Sequence, residues 1–185
     1  MDKIIAHLKR GEIGIIPTDT TYGLVGQALN PETVERIYHV RERNRDKPFI
    51  ILLDSLASIK KFHLVLSRAQ RAKLKDWWPG PVSVILPCAQ SKFAYLHNDT
   101  YALAFRVPAK ESLRKLLKAT GPLVAPSANL AGKPTAVSIQ EAQKYFGNKI
   151  DFYVDGGAVS GKPSTLVSLE AGNTFKIIRL GEKKL

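Results

Sequence analysis

The chain has 185 residues, 44% of them hydrophobic and 24% charged, which predicts one globular domain over 1–185 with a core large enough to hold a cleft. The formal net charge of +12 favours anionic partners such as nucleotides or RNA, although a basic charge is also common in proteins that bind no nucleic acid. The single cysteine, Cys88, excludes an internal disulfide framework, and the sequence shows neither a membrane span nor a secretory signal, so we expect a cytoplasmic protein.

Strands and helices are predicted to alternate along the chain. A short helix is expected over 3–10 and a strand over 13–16. Asn30 as N-cap and Pro31 in the first turn predict a helix over 31–42. Later strands are predicted at 49–53, 82–86, 101–107, 122–125, 152–154, 165–169 and 175–179, and later helices after Ser67, around Leu113 and after a capping box of Ser138 and Glu141. This order predicts an α/β fold: a single-domain twisted open mixed sheet with flanking helices.

The first polar cluster is the segment Pro17-Thr-Asp-Thr-Thr-Tyr-Gly23, which directly follows the predicted strand 13–16. Thr and Asp side chains bond to nearby backbone, so they suit a shaped turn. Polar groups at a strand end are also where open α/β sheets bind ligands. Taken alone, the segment fits a well-capped turn and a ligand-binding turn equally well.

The second cluster is basic and runs from Arg41 to Pro48. Helical spacing turns Arg41 toward the buried side of the predicted helix. Arg offers planar bidentate donors to phosphate oxygens and Lys a compact charge, so Arg41, Arg43 and Lys47 are predicted to grip a polyphosphate. The alternative is a solvated charged turn whose cations favour the end of the helix.

Two polar pairs and one arginine complete the candidate site: Ser127 and Asn129, Ser164 and Thr165, and Arg179. The first pair follows the predicted strand 122–125. Its side chains suit a ribose, a base edge or a phosphate oxygen, but they also suit an ordinary turn. An arginine near a C-terminal strand is, by itself, typical of a surface salt bridge.

Several familiar motifs are broken or absent. Residues 156–162 have the Gly-x-x-x-x-Gly-Lys spacing of a phosphate-binding loop, but Pro163 replaces the Ser or Thr that binds magnesium. The sequence contains no Gly-x-Gly-x-x-Gly and no Gly-x-Ser-x-Gly. The four His residues lack metal-ligand spacing, so no protein metal site is predicted. Cys88 is expected to pack rather than react.

Seven segments in order resemble the YrdC/TsaC family of threonylcarbamoyl-AMP synthases over nearly the whole chain, from Gly11 to Gly181. The segments are 17–24, 41–43 with 47–48, 78–83, 105–108, 125–129, 164–165 and 179–181. Two positions depart from the family pattern. Arg41 stands where the family usually has Lys, and Ser83 stands where Thr is frequent. The chain resembles the short, single-domain form of the family.

This resemblance implies a YrdC-like fold and ATP-dependent synthesis of threonylcarbamoyl-AMP from L-threonine and bicarbonate. Pyrophosphate is released, and the product serves the threonylcarbamoyladenosine modification of tRNA. The resemblance also implies Mg2+ held mainly by the ATP phosphates, and a downstream transferase complex. The implied catalytic residues are Arg41, Arg43 and Lys47; the implied ATP contacts are these three with Ser83, Ser127, Asn129 and Arg179; the implied threonine contacts are Thr20, Thr21, Tyr22, Arg106, Ser164 and Thr165.

A non-catalytic module that binds double-stranded RNA or tRNA is the alternative. The basic charge supports it. However, the aromatic content of 8% shows no interleaving of aromatics and cations of the kind that holds bases. We therefore expect catalysis, with a tRNA contact left open beside it.

Overall fold

A computed structural model describes residues 1–45, 48–169 and 174–185. The strands are β1 (Gly14–Pro17), β2 (Tyr22–Gln27), β3 (Ile50–Leu52), β4 (Val82–Pro87), β5 (Ala102–Arg106), β6 (Leu123–Val124), β7 (Phe152–Tyr153), β8 (Thr165–Leu169) and β9 (Phe175–Arg179). They form one mixed sheet in the order β7-β1-β2-β6-β3-β5-β4-β8-β9. The pairs β1–β7, β3–β5 and β4–β8 are parallel, and the others are antiparallel. The predicted α/β mixed sheet is confirmed.

Helices flank this sheet. They are α1 (Asp2–Lys9), α2 (Pro31–Arg41), α3 (Arg68–Trp77), α4 (Ala94–His97), α5 (Glu111–Thr120) and α6 (Ile139–Phe146), with 3-10 turns at Leu56–Phe62, Ser91–Phe93 and Gly147–Lys149. Of the six helices in the described residues, five were predicted, whereas the one-turn α4 was not. Every helix in the described part of the chain is too short or too polar to cross a membrane.

Side-chain caps explain where the predicted helices begin. Asn30 accepts hydrogen bonds from the amides of Glu32 and Thr33 at 3.0 and 3.3 Å, as its N-cap position requires. The predicted capping box of α6 is half wrong. The Ser138 hydroxyl accepts from the Glu141 amide, but the Glu141 carboxylate accepts from the amide of Val137 rather than from that of Ser138. The carboxylate thus caps the residue before the N-cap.

Strand β2 was not predicted, because it directly follows the polar turn and contains two glycines. Glycine is normally unfavourable in a strand interior. Here a Cβ at Gly26 would overlap the methyl group of Thr33, so the missing side chain lets α2 pack closely on the sheet. The reason for this glycine therefore lies in a contact between two elements, which the local pattern does not show.

The two faces of the sheet are covered differently. On one face, α2, α3, α4 and α6 bury a large core against alternate strand residues such as Ile15, Ile51 and Val84. On the other face, α1 and α5 pack on residues such as Ile16 and Leu52, since successive strand residues point to opposite sides. These two helices cover β1, β2 and β6 on that face and reach β3. From β3 across β5, β4, β8 and β9 the same face borders a cavity.

Candidate functional site

A cavity of about 550 Å3 lies on this second face of the sheet, within the size range of ligand pockets. Its floor is apolar and is formed by Ile50, Leu52, Ile85, Ala104 and Leu166. Around this floor the structure brings together seven of the sequence-predicted site residues: Thr20, Thr21, Arg43, Arg106, Ser127, Ser164 and Arg179. Segments that are far apart in the chain therefore converge on one cavity.

Five other predicted residues do not line the cavity: Tyr22, Arg41, Ser83, Asn129 and Thr165. Each of them is hydrogen-bonded to other residues around the site or to the C-terminal segment. The last predicted residue, Lys47, lies outside the described residues.

The first polar cluster forms a turn between β1 and β2, as predicted. The Thr18 hydroxyl accepts hydrogen bonds from the amides of Thr20 and Thr21 at 3.1 and 3.2 Å and donates to the Thr21 carbonyl at 2.6 Å. The turn is thus shaped by its own side chain. Thr20 and Thr21 are thereby placed at the cavity.

Arg106, at the end of β5, holds this turn from across the sheet. Its Nη1 donates to the Thr20 hydroxyl at 3.1 Å, and its Nη2 is ion-paired with Asp19 at 2.8 Å. The residue is 4% exposed, and its enclosed Nε has no hydrogen-bond partner among the described residues. A buried donor without a partner is costly, and the rest of the guanidinium lines the cavity.

Arg43, Arg106 and Arg179 give the cavity a positive charge. Burial lowers the pKa of Arg106, with Asp19 opposing and Arg179 adding to the effect. Burial and then the charge of Arg43 lower the pKa of Arg179. The three guanidinium groups therefore influence one another inside the cavity. A bound anion would relieve this mutual repulsion.

Arg41 is buried, as helical spacing predicted, but it points to the loop after β6. It donates through Nε to the Asn129 carbonyl and through Nη2 to the Asn129 Oδ1, both at 2.9 Å. Asn129 Oδ1 also accepts from the Ser127 hydroxyl at 2.6 Å, and Ser127 lines the cavity. Burial, followed by the charge of Arg43, lowers the pKa of Arg41 to about 10. Arg41 therefore reaches the cavity only through Asn129 and Ser127.

The β4–β8 edge of the site is held by a buried hydroxyl pair. The hydroxyls of Ser83 and Ser164 are 2.8 Å apart, and Arg179 donates to the Ser164 carbonyl at 2.9 Å. Thr165 points away from the cavity. Its hydroxyl donates to the Lys183 carbonyl and accepts from the Gly181 amide, which ties the C-terminal segment to β8.

The segment with phosphate-loop spacing packs against the polar turn instead of leading into a helix. The Tyr22 hydroxyl accepts from the Gly156 amide at 2.9 Å and donates to the Gly157 carbonyl at 2.7 Å. A Cβ at Gly161 would overlap the carbonyl oxygen of Thr20. Strand β8 follows at Thr165. Residues 156–161 therefore form a strap across the turn.

Among the described residues, no group of three or more His, Cys, Asp or Glu is placed to hold a metal ion. Asp19 is already engaged by Arg106 and by the amide of Ala109, at 2.8 and 2.9 Å.

The family model for Sua5, YciO and YrdC proteins, described as telomere recombination, matches residues 6–181. The chain belongs to this family. The threonylcarbamoyl-AMP synthase of Pseudoalteromonas translucida is 31% identical over 93% of this chain and 94% of its own length. That of Pyrococcus abyssi is 32% identical over 88% of this chain but only 48% of its own. The chain therefore spans about half of the Pyrococcus protein.

Solved structures of this Sua5/YciO/YrdC family share the fold. Pyrococcus abyssi Sua5 complexed with L-threonine has a TM-score of 0.88 at 30% identity, covering 97% of this chain and 53% of that one. Escherichia coli YciO has a TM-score of 0.85 at 22% identity, covering 97% and 88%. The predicted family and its fold are confirmed.

Some features of the site were missed by sequence reasoning. Asp19 lies within the first polar cluster, where a lone carboxylate could have suggested a cationic partner such as Arg106. The open floor also left a signal, because Ala102 and Ala104 alternate with large apolar residues along β5. Small residues on one side of a strand leave room for a ligand. The strap over the turn left no signal beyond its glycines.

Proposed function

We propose that this protein makes threonylcarbamoyl-AMP from L-threonine, bicarbonate and ATP, and releases pyrophosphate, for the threonylcarbamoyladenosine modification of tRNA. The observation that carries this proposal is the convergence of Arg43, Arg106 and Arg179 on one cavity with an apolar floor. Such a cavity suits a ligand that combines a flat apolar base with several negative charges. The names of the relatives, with one solved in complex with L-threonine, support the same reaction.

The reaction needs no enzyme nucleophile. The threonine amine and bicarbonate form a carbamate with loss of one water molecule, and a carbamate oxygen attacks the α-phosphorus of ATP. The bond between the α-phosphorus and the oxygen that bridges it to the β-phosphorus breaks, and pyrophosphate leaves with the electron pair. The protein contributes by aligning the two substrates and by neutralising phosphate charge. Arginines fixed in a cavity supply that charge without reorganisation.

At the nucleotide end, Arg43 and Arg179 bind phosphate oxygens, with Lys47 proposed as a third cation. Ser127 offers its hydroxyl to the nucleotide, while Asn129 orients that hydroxyl at 2.6 Å. In the same way, Ser83 orients the hydroxyl of Ser164, which lines the cavity. Arg41 is assigned a positioning role, since its Nε and Nη2 both donate to Asn129.

At the amino-acid end, the guanidinium tip of Arg106 is the donor for the threonine carboxylate, because its contacts to Thr20 and Asp19 use only two of its five N–H groups. Thr20, Thr21 and Ser164 line the same region. Tyr22 and Thr165 stabilise this region from outside the cavity. Tyr22 bonds to the strap, and Thr165 bonds to the C-terminal segment.

The ATP phosphates and water would hold Mg2+, which would supply positive charge to the departing pyrophosphate when bound. The product is a reactive mixed anhydride, so a transferase that acts on tRNA must take it up.

The test is pyrophosphate release by the purified protein with ATP, L-threonine and bicarbonate. We expect release that stops when threonine is omitted, and a loss of roughly ten- to hundredfold in activity for Arg43→Ala. Retention of RNA without turnover, or full activity of Arg43→Ala, would contradict the proposal.

A further inference from the structure

Two aromatic rings beside the cavity are stacked between two guanidinium groups. The rings of Tyr38 and Phe49 lie 4.0 Å apart at 24°. The Arg43 guanidinium lies 5.7 Å from the Phe49 centroid, and that of Arg45 lies 5.3 Å from the Tyr38 centroid. Both rings are 3% exposed, and Phe49 also lines the cavity. We call these four side chains the cation–aromatic stack.

The backbone places Arg43 at the end of this stack. Helix α2 ends with Glu42 in the left-handed conformation, at φ 52°. The amide of Arg43 donates to the Tyr38 carbonyl at 3.3 Å, and that of Glu42 donates to the His39 carbonyl. These two bonds form a Schellman turn. Tyr38 belongs both to this turn and to the stack. It therefore helps to fix the backbone of Arg43 through its carbonyl and supports, through its ring, the Phe49 ring on which the Arg43 guanidinium lies.

The ring system is itself held in place. The Tyr38 hydroxyl accepts a hydrogen bond from Asn98 at 2.8 Å, and burial raises the pKa of Tyr38, so the phenol stays neutral. Arg45 is ion-paired with Glu35. A face of a fixed, neutral ring attracts a cation more strongly when water is excluded.

We propose that Phe49, supported by Tyr38, is the positioning residue that holds the Arg43 guanidinium toward the phosphate chain of the nucleotide. This inference rests on the proposed function. A free arginine side chain must lose its rotamer freedom when it binds an anion. A guanidinium that already rests on a ring has lost part of that freedom before the nucleotide arrives. Phe49 therefore improves nucleotide binding without itself contacting phosphate.

The test compares Phe49→Leu, which removes the ring, with Phe49→Tyr, which retains it. We expect Phe49→Leu to raise the Kd for ATP by about three- to thirtyfold. Phe49→Tyr should retain most of the wild-type affinity for ATP. The KM for threonine should change much less than the KM for ATP. Phe62→Leu is the matched control, because Phe62 is a fully buried ring that packs on Phe93 and Phe105 outside the cavity.

A double-mutant cycle separates positioning from a general effect on the cavity wall. In an Arg43→Ala background, Phe49→Leu should no longer change the Kd for ATP, because the group it acts through is gone. If Phe49→Leu weakens ATP binding equally in both backgrounds, or not at all in the wild type, the inference is wrong.

A spectroscopic measurement without substrate distinguishes failure of this inference from failure of the proposed function. Ring currents should shift the Nε–H resonance of Arg43, and Phe49→Leu should remove that shift while Phe49→Tyr keeps it. An inactive protein that shows this pattern would overturn the synthase assignment and leave the positioning intact. An Arg43 resonance that is unchanged by Phe49→Leu would overturn the positioning itself.

Discussion

Arg41 and Arg43 are two residues apart, but they have different surroundings. Arg41 is 1% exposed and is bonded twice to Asn129. Arg43 is half-buried, lines the cavity and lies against Phe49. Equal residue types in one basic cluster therefore serve different purposes, one in the frame of the site and the other in binding.

This difference predicts that the same substitution affects mainly stability at Arg41 and mainly ATP binding at Arg43. Arg41→Met should lower the free energy of unfolding by about 1–3 kcal/mol, because two oxygens of Asn129 lose a charged donor. Arg43→Met should lower that free energy by less than Arg41→Met does, because Arg43 is only half-buried, and it should raise the Kd for ATP roughly ten- to hundredfold. Urea unfolding and calorimetric titration measure the two quantities. Equal losses of stability in both variants would contradict this division.

The end of α2 is strained at one non-glycine residue. Glu42 has φ 52°, a region that costs an L-residue roughly 1–2 kcal/mol. Its ion pair with Lys149 is long, at 4.0 Å, and exposed, so it contributes little. Glu42→Gly should therefore raise the free energy of unfolding by about 0.5–1 kcal/mol, after the greater chain entropy of glycine is deducted.

Glu42→Ala is the control for that prediction, because it removes the ion pair but keeps the Cβ. The alanine variant should be less stable than the glycine variant by about 1 kcal/mol in urea unfolding. If the two variants have the same stability, backbone strain at this position is not the cause.

The contact between the strap and the polar turn should affect threonine binding. Gly161→Ala would press a methyl group against the Thr20 carbonyl, so the turn that carries Thr20 and Thr21 must shift. We expect the KM for threonine to rise about tenfold or more, since small displacements at a site are costly, with a smaller change in the KM for ATP. Steady-state kinetics with each substrate varied in turn measures both.

The matched control is Gly121→Ala. Gly121 has φ 88° and open space where a Cβ would stand, at the end of α5. This variant should lose about 1 kcal/mol of stability without changing the KM for threonine. A similar rise in the KM for threonine in both variants would show that general destabilisation, rather than the turn, is responsible.

Local signals in the sequence predicted elements better than they predicted partners. Asn30 and Ser67 marked helix starts correctly because a cap involves only the next few residues. The burial of Arg41 followed from helical spacing. Its contact with Asn129 spans 88 residues, and no local pattern contains such information. The same limit explains β2, whose Gly26 is required by packing against α2.

At the scale of the molecule, the sheet itself creates the site. Helices α1 and α5 cover only part of one face, and the small side chains of β5 leave the remainder open. Three of the four polar clusters could be predicted because each lies beside the end of a strand, whereas the basic cluster follows helix α2. Their meeting at one cavity could not be predicted with the same certainty, since it depends on the strand order β3-β5-β4-β8. The open mixed sheet thus turns separate strand ends into one pocket.

The net charge of +12 is distributed over the whole chain, whereas Arg43, Arg106 and Arg179 are the three arginines that line the cavity. Salt screens partly buried charges less than exposed ones. The Kd for ATP should therefore rise by less than about tenfold between 50 and 200 mM salt, whereas binding through six to ten RNA phosphates would weaken by about 10³- to 10⁵-fold.

Calorimetry with ATP and fluorescence anisotropy with a labelled duplex RNA, on the same protein sample, compare the two dependences directly. A chain whose main ligand lies in the cavity should retain ATP under conditions that remove RNA from its surface. Arg43→Ala should weaken ATP binding while leaving the salt slope for RNA changed by at most about one phosphate contact. If ATP and RNA binding were lost together, with the same steep slope, the charge of the whole surface rather than the cavity would govern both.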